Sequence, residues 1–224
     1  MEKSVWLGTQ KCLSYAAEKN DTCLLFFSAT GKDSIVLLHL INKLFKRVIC
    51  VYMYLVDDLD LINNYLQWAK SFPNVEIVKF PHLMYYQYKT KGIYCTKAIK
   101  GFKKLEIKDI ENFCKMQYAT DISFWGVKVS DSYNRRGMFH EASKDEYHRQ
   151  YNRTYPLINW KNKDCYNYIN LHKLPQPLKL GSKSAGSGVS FKKETIEYIK
   201  KHYPNDYKKM CNEFDLLEIK YGKI

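Results

Sequence analysis

Cys23-Leu24-Leu25-Phe26-Phe27 runs directly into Ser28-Ala29-Thr30-Gly31-Lys32-Asp33-Ser34, and then into a helical pattern over 35–45 with Val36, Leu37, Leu40, Ile41 and Leu44 at helical spacing. A short continuous apolar run is the mark of a strand buried on both faces, which belongs to parallel sheets covered by helices. A small-residue loop leaving such a strand and entering a helix lies where open α/β sheets bind ligands. The helix start offers unpaired N–H groups and the positive end of a dipole, and both suit phosphate. Gly31 can take a positive φ and lets the backbone approach an anion closely. Ser28, Thr30 and Ser34 offer hydroxyls and Lys32 a charge. The loop is neither a Walker A sequence nor G-x-G-x-x-G. The plainer alternative is an ordinary turn, with Asp33 and Ser34 capping the helix.

The remaining chain alternates in the same way. A leading helix is predicted over 4–19, strands over 48–56, 75–80 and 122–127, and helices over 59–72, 95–104 and 108–119. A short edge strand over 153–158, a helix over 163–172, a Pro- and Gly/Ser-containing loop to 190 and helices from about 191 complete it. This order predicts an α/β fold, a three-layer sandwich with a mainly parallel twisted sheet of about five strands and helices on both faces. A helical C-terminal extension follows. No repeat or linker divides the chain, so one domain over 1–190 and an extension over 191–224 are expected.

Charge narrows the function classes. Lys and Arg number 36 against 23 Asp and Glu, a net +13. Such an excess favours a polyanionic partner, either a nucleotide or a nucleic acid. No apolar run approaches the ~18 residues of a membrane helix. The start, MEKSVWLGTQ, has no signal-peptide core. A cytoplasmic protein with no membrane partner is expected, its oligomeric state open and a homodimer included. The seven cysteines are scattered, with no C-x-x-C pair, so neither a disulfide framework nor a structural zinc site is indicated.

Gly31-Lys32-Asp33-Ser34 after an apolar strand resembles the PP-loop of ATP pyrophosphatases, usually S-G-G-x-D-S, with Ala29-Thr30 where Ser-Gly is usual. Three later segments make the chain similar to the phosphoadenosine phosphosulfate (PAPS) reductase family within that superfamily. They are 94–100 with Cys95, Lys97 and Lys100; Gly126-Val127-Lys128 to Ser132 and Arg135; and 155–181 with Trp160, Asp164, His172, Pro175 and Pro177. The resemblance implies an adenine nucleotide α-hydrolase-like fold and an enzyme that uses ATP and Mg²⁺. It would cleave ATP to AMP and pyrophosphate while activating or adenylylating an unknown acceptor.

On that reading Ser28, Thr30, Gly31, Lys32, Asp33 and Ser34 hold the pyrophosphate end, and Asp33 alternatively holds the metal. Lys128 and Arg135 stabilise phosphates or a second substrate, and Gly126 allows close approach of a ligand. Lys97 and Lys100 reach phosphate or are solvated, and Asp57 and Asp58 touch ribose or metal or form a solvated turn. His172 reads mainly as a cap or surface group.

The chain also departs from the family. Cys95 has no adjacent cysteine, and Gly181 is followed by serines rather than G-C-x-x-C, so no iron–sulfur cluster is expected. Cys211 lies between Met210 and Asn212 rather than in E-C-G-x-H. Thiol-dependent sulfonucleotide reduction therefore stands as the second function. A third is a non-catalytic nucleotide- or nucleic-acid-binding module, with Tyr85, Tyr86 and Tyr88 stacking on a single strand.

Overall fold

The structure is a computed structural model that describes residues 1–101, 105–181 and 188–223. At its centre Thr22–Phe26 (β1) is bonded in parallel to Arg47–Tyr54 (β2) on one side and Ser123–Trp125 (β4) on the other. Val75–Pro81 (β3) extends the sheet in parallel beyond β2. Arg153–Thr154 (β6) adds in parallel to β4, and Arg149–Gln150 (β5) closes that edge antiparallel. The order is β3-β2-β1-β4-β6-β5. The expected edge strand over 153–158 shrinks to two residues, because Pro156 has no N–H for a ladder.

Successive residues of β1 face opposite ways, and both sets are buried. Cys23 and Leu25 join the larger core with Lys3–Lys19 (α1), Lys32–Ile41 (α2), Asp60–Lys70 (α3) and Asn162–Leu171 (α8). Leu24 and Phe26, with Ile49 and Val51, join a smaller core under Ile107–Gln117 (α5). The layers are those the apolar runs predict.

Two regions differ from the sequence reading. Leu83–Lys91 (α4) is a helix that was not expected; its tyrosines leave no clean 3.6-residue stripe, and Gly92 ends it at φ 63 with its N–H on Tyr88 O. The helix expected over 95–104 is replaced over 95–101 by turns, while 102–104 lie outside the described residues. The segment after β4 also carries two short helices, Tyr133–Met138 (α6) and His140–Lys144 (α7), with no strong periodicity.

Lys193–His202 (α9), Pro204–Glu213 (α10) and Leu216–Tyr221 (α11) close the chain. They are continuous with the main core, to which they contribute Ile196, Ile199, Tyr207, Met210, Phe214 and Leu217. The buried Asp206 of α10 accepts from the backbone N–H of Asp60 at 2.7 Å and of Leu61 at 2.9 Å, and so caps α3 from a distance of 146 residues in the chain. The tyrosines proposed as a stacking patch belong to the same junction. Tyr86 is buried, and the Tyr85 and Tyr88 rings lie 5.9 and 6.0 Å from Phe214. They fasten α4 to α10 and offer no open platform to a strand.

From β1 the chain steps outward to β2 and β3, then returns to β4 on the other side of β1. The reversal opens a crevice beyond the carboxyl ends of β1 and β4, the place where such sheets bind ligands.

Candidate functional site

The loop that leaves β1 fills that crevice. Phe27 N–H still donates to Val51 O at 2.9 Å, and Thr30 N–H then turns back to Ser28 O at 2.7 Å. The positive φ that Gly31 permits is not used there and falls on Ala29, at 56°, while Gly31 is extended at φ −80°. An alanine held there costs on the order of 1 kcal/mol. Gly31 is the N-cap of α2, and among the described residues no side chain caps this helix. The plainer alternative, a turn capped by Asp33 and Ser34, does not form. Ser34 Oγ accepts from Ser28 N–H at 3.1 Å and lies 2.9 Å from Ser28 Oγ. The first turn of α2 therefore keeps the unpaired N–H groups of a helix start.

Asp33 is turned towards lysines. Its Oδ1 lies 2.6 Å from Lys128 Nζ and accepts from Cys165 Sγ at 3.3 Å; its Oδ2 lies 3.2 Å from Lys32 Nζ. Lys128 is fully buried and also meets Asp131 Oδ1 at 2.9 Å, and Asp131 Oδ2 meets Arg135 at 2.6 Å. The result is an alternating chain of five charges: Lys32, Asp33, Lys128, Asp131, Arg135. Burial pulls the Lys128 pKa down, but Asp33, Cys165 and Asp131 beside it together outweigh that and leave it raised. Burial pushes Asp131 up, and the hydrogen bond and charge of Lys128 carry it below the usual carboxylate range. Of the five groups Arg135 is the most exposed, so the surplus positive charge faces solvent there.

Gly126 lets the two loops meet. A Cβ on it would lie 3.1 Å from Asp33 Cβ and 3.6 Å from Ser34 N. The close approach this glycine allows is thus to the start of α2.

A cavity of about 460 Å³ opens at this point, a size suited to a nucleotide. Ser28, Thr30, Gly31, Asp33 and Ser34 line one end, with Gly126 and Arg135. Phe26, Met53, Leu55, Tyr88 and Trp125 supply apolar walls, and Trp125 stacks on Phe26 at 3.8 Å. Lys32 and Lys128 sit behind the lining, spent on Asp33. Asp57 lies outside it, 2.8 Å from Lys79, and Asp58 bonds Asn63. Lys97 and Lys100 are exposed and do not line it. Trp125 and Asp131 were not foreseen as site residues, although Asp131 stands three residues after Lys128 and four before Arg135, a spacing that brings side chains together on one turn.

Asp33 has an ammonium on each oxygen and does not fit a divalent cation held by the protein. Among the described residues no group of three or more His, Cys, Asp or Glu side chains is arranged to hold one. Six cysteines are buried and Cys211 is half-buried; none lines the cavity. Burial pushes the thiols of Cys95 and Cys211 up. No described helix is long and apolar enough to cross a membrane.

A switch-point loop, an uncapped helix start and a mostly parallel sheet are those of an α/β domain that binds a ligand at its strand ends, and the family match over 23–178 makes its class the PP-loop adenine nucleotide α-hydrolases. The chain belongs to the phosphoadenosine phosphosulfate reductase domain family, whose model matches residues 23–178. No curated protein matches it. Among solved structures it is similar in fold to the U34-tRNA thiolase NcsA of Methanococcus maripaludis with its 4Fe–4S cluster, at a TM-score of 0.52 and 16% identity over 96% of this chain and 78% of that one. A Candida glabrata FMN adenylyltransferase in complex with ATP gives 0.48 and 13% over 90% and 71%. The NH3-dependent NAD synthetase of Campylobacter jejuni gives 0.47 and 12% over 99% and 94%.

Proposed function

We propose that this chain is an enzyme that binds ATP in the switch-point cavity and cleaves it between the α- and β-phosphates. An acceptor oxygen attacks the α-phosphorus, the bond to the bridging oxygen breaks, and pyrophosphate leaves with that electron pair. The observation that carries the reading is the uncapped start of α2, with Ser28 and Ser34, facing a cavity into which no cysteine projects. Backbone N–H groups there stabilise the anionic phosphates, and Arg135 adds a guanidinium suited to two phosphate oxygens at once. Catalysis of this kind is positioning plus neutralisation of developing charge. Lys32 and Lys128 fix Asp33, and through it the loop, rather than touching the nucleotide. Mg²⁺ arrives as part of the substrate, and no carboxylate of the loop is needed to hold it.

Thiol-dependent reduction of a sulfonucleotide needs a reactive thiolate at the sulfur. The cysteines, buried or half-buried with raised pKa values and none of them in the cavity lining, speak against it. Calorimetric titration with ATP plus Mg²⁺ and with PAPS decides between the two, with Arg135→Ala as control. Micromolar ATP binding, weakened at least about tenfold by the control, is expected. Tight PAPS binding with weak ATP binding would overturn the reading.

A further inference from the structure

The short helix α6 brings Arg135 to the cavity wall. α6 buries none of its six residues. A helix that short is not stable through its own hydrogen bonds; it is held by the Ser132 cap on Arg135 N–H and by the Arg135–Asp131 pair. Its outward side chains therefore contribute nothing to the core. Tyr133 is 87% exposed and Met138 67%. Among the described residues the Tyr133 ring stacks on nothing and Arg136 pairs with no carboxylate.

Two further exposed cations belong to chain segments that border the cavity. Lys179 follows Leu178, whose N–H donates to Thr30 O in the phosphate loop. Lys192 lies two residues beyond Ser190, which lines the cavity. Both are exposed and, among the described residues, neither forms an ion pair. An open aromatic ring and an unpaired cation on α6 adjoin Arg135 at the cavity wall, and two more unpaired cations stand in segments that border the cavity. Cations alone would suit any polyanion; a ring presented to solvent among them suits one with flat apolar faces. A net charge of +13 favours the same class of partner.

We infer that the acceptor is single-stranded nucleic acid, docked along α6 with a base on Tyr133 and phosphodiesters on Arg136, Lys179 and Lys192. The inference rests on reading the cavity as a site of adenylyl transfer, since the strand's reactive group enters there. It moves the stacking residue from the buried tyrosines of α4 to a ring open to solvent.

The test is fluorescence anisotropy of the full chain with labelled uridine RNA and thymidine DNA homopolymers of about 20 nucleotides, between about 50 and 200 mM salt. Inorganic polyphosphate and polyglutamate serve as competitors. The expected result is binding whose logarithm falls with log salt by several units. Tyr133→Ala weakens it about tenfold, and Arg136→Ala lowers the slope by about one. ATP affinity is unchanged in both variants. Absence of oligonucleotide binding at the lowest salt would overturn the inference. So would equal displacement by polyphosphate or polyglutamate with Tyr133→Ala without effect. Tyr133-dependent binding in a chain that does not bind ATP would uphold the docking surface and remove the adenylyl-transfer reading instead.

Discussion

Lys128 Nζ lies 2.6 Å from Asp33 Oδ1, across 95 residues of chain, with the lysine fully buried. The pair ties the loop after β4 to the start of α2. Lys128→Ala leaves Asp33 with Lys32 alone and Asp131 with Arg135, and removes a charge that two buried or half-buried carboxylates share. Breaking a buried pair from one side is expected to cost about 3 kcal/mol, read as a lower midpoint in urea unfolding.

Gly126→Ala tests the contact between the two loops. The new methyl would press on Asp33 Cβ at 3.1 Å, so β4 and α2 must move apart. A modest stability loss of about 1–2 kcal/mol is expected. The nucleotide affinity should fall further than that loss explains, which parallel melting and titration would separate.

Most of the fold was legible because its strands are buried on both faces. The runs at β1, β2 and β4 hold almost no polar residue, so their type and order were readable without periodicity. α4 was not, because Tyr85 and Tyr88 face a junction with the end of α10, 128 residues further along the chain at Tyr85–Glu213. The site was legible as far as the loop and Arg135. The partners of Lys128 were not, because its position after a strand predicts a ligand contact equally well, and only the fold brings Asp33 to it. Asp57 and Lys100 fell away for a similar reason: a strand end or helix pattern says which edge a residue is near, not whether the side chain enters the cavity.

The cysteines give a chemical readout. Six are buried and Cys211 is half-buried with its thiol pushed up, burial being the leading cause. Mass spectrometry after brief iodoacetamide treatment at neutral pH should find one slowly labelled site, Cys211, in the native chain and seven in urea. Cys211→Ser should leave nucleotide affinity unchanged.

His39 predicts how stability varies with pH. Its Nδ1 lies 3.0 Å from Tyr168 Oη. Burial, then the charges of Lys43 and His172, lower its pKa to about 4 from the ordinary 6.5. The folded chain thus holds fewer protons than the unfolded one between those values, so stability is full above about 6.5 and is lost as the pH falls towards 4. His39→Gln should flatten the decline of Tm across that window.

The carboxylate of Asp206 reaches back to the first amides of α3, which has no side-chain cap of its own among the described residues. The family match stops at residue 178, 28 positions earlier. What is inherited as a recognisable module and what must be synthesised before the chain can settle therefore have different ends. A ribosome that has released only the family portion has made a sheet whose second crossover helix is still waiting for its cap. A fragment trimmed to the family boundary should be captured by proteases during expression, whereas the full chain escapes them.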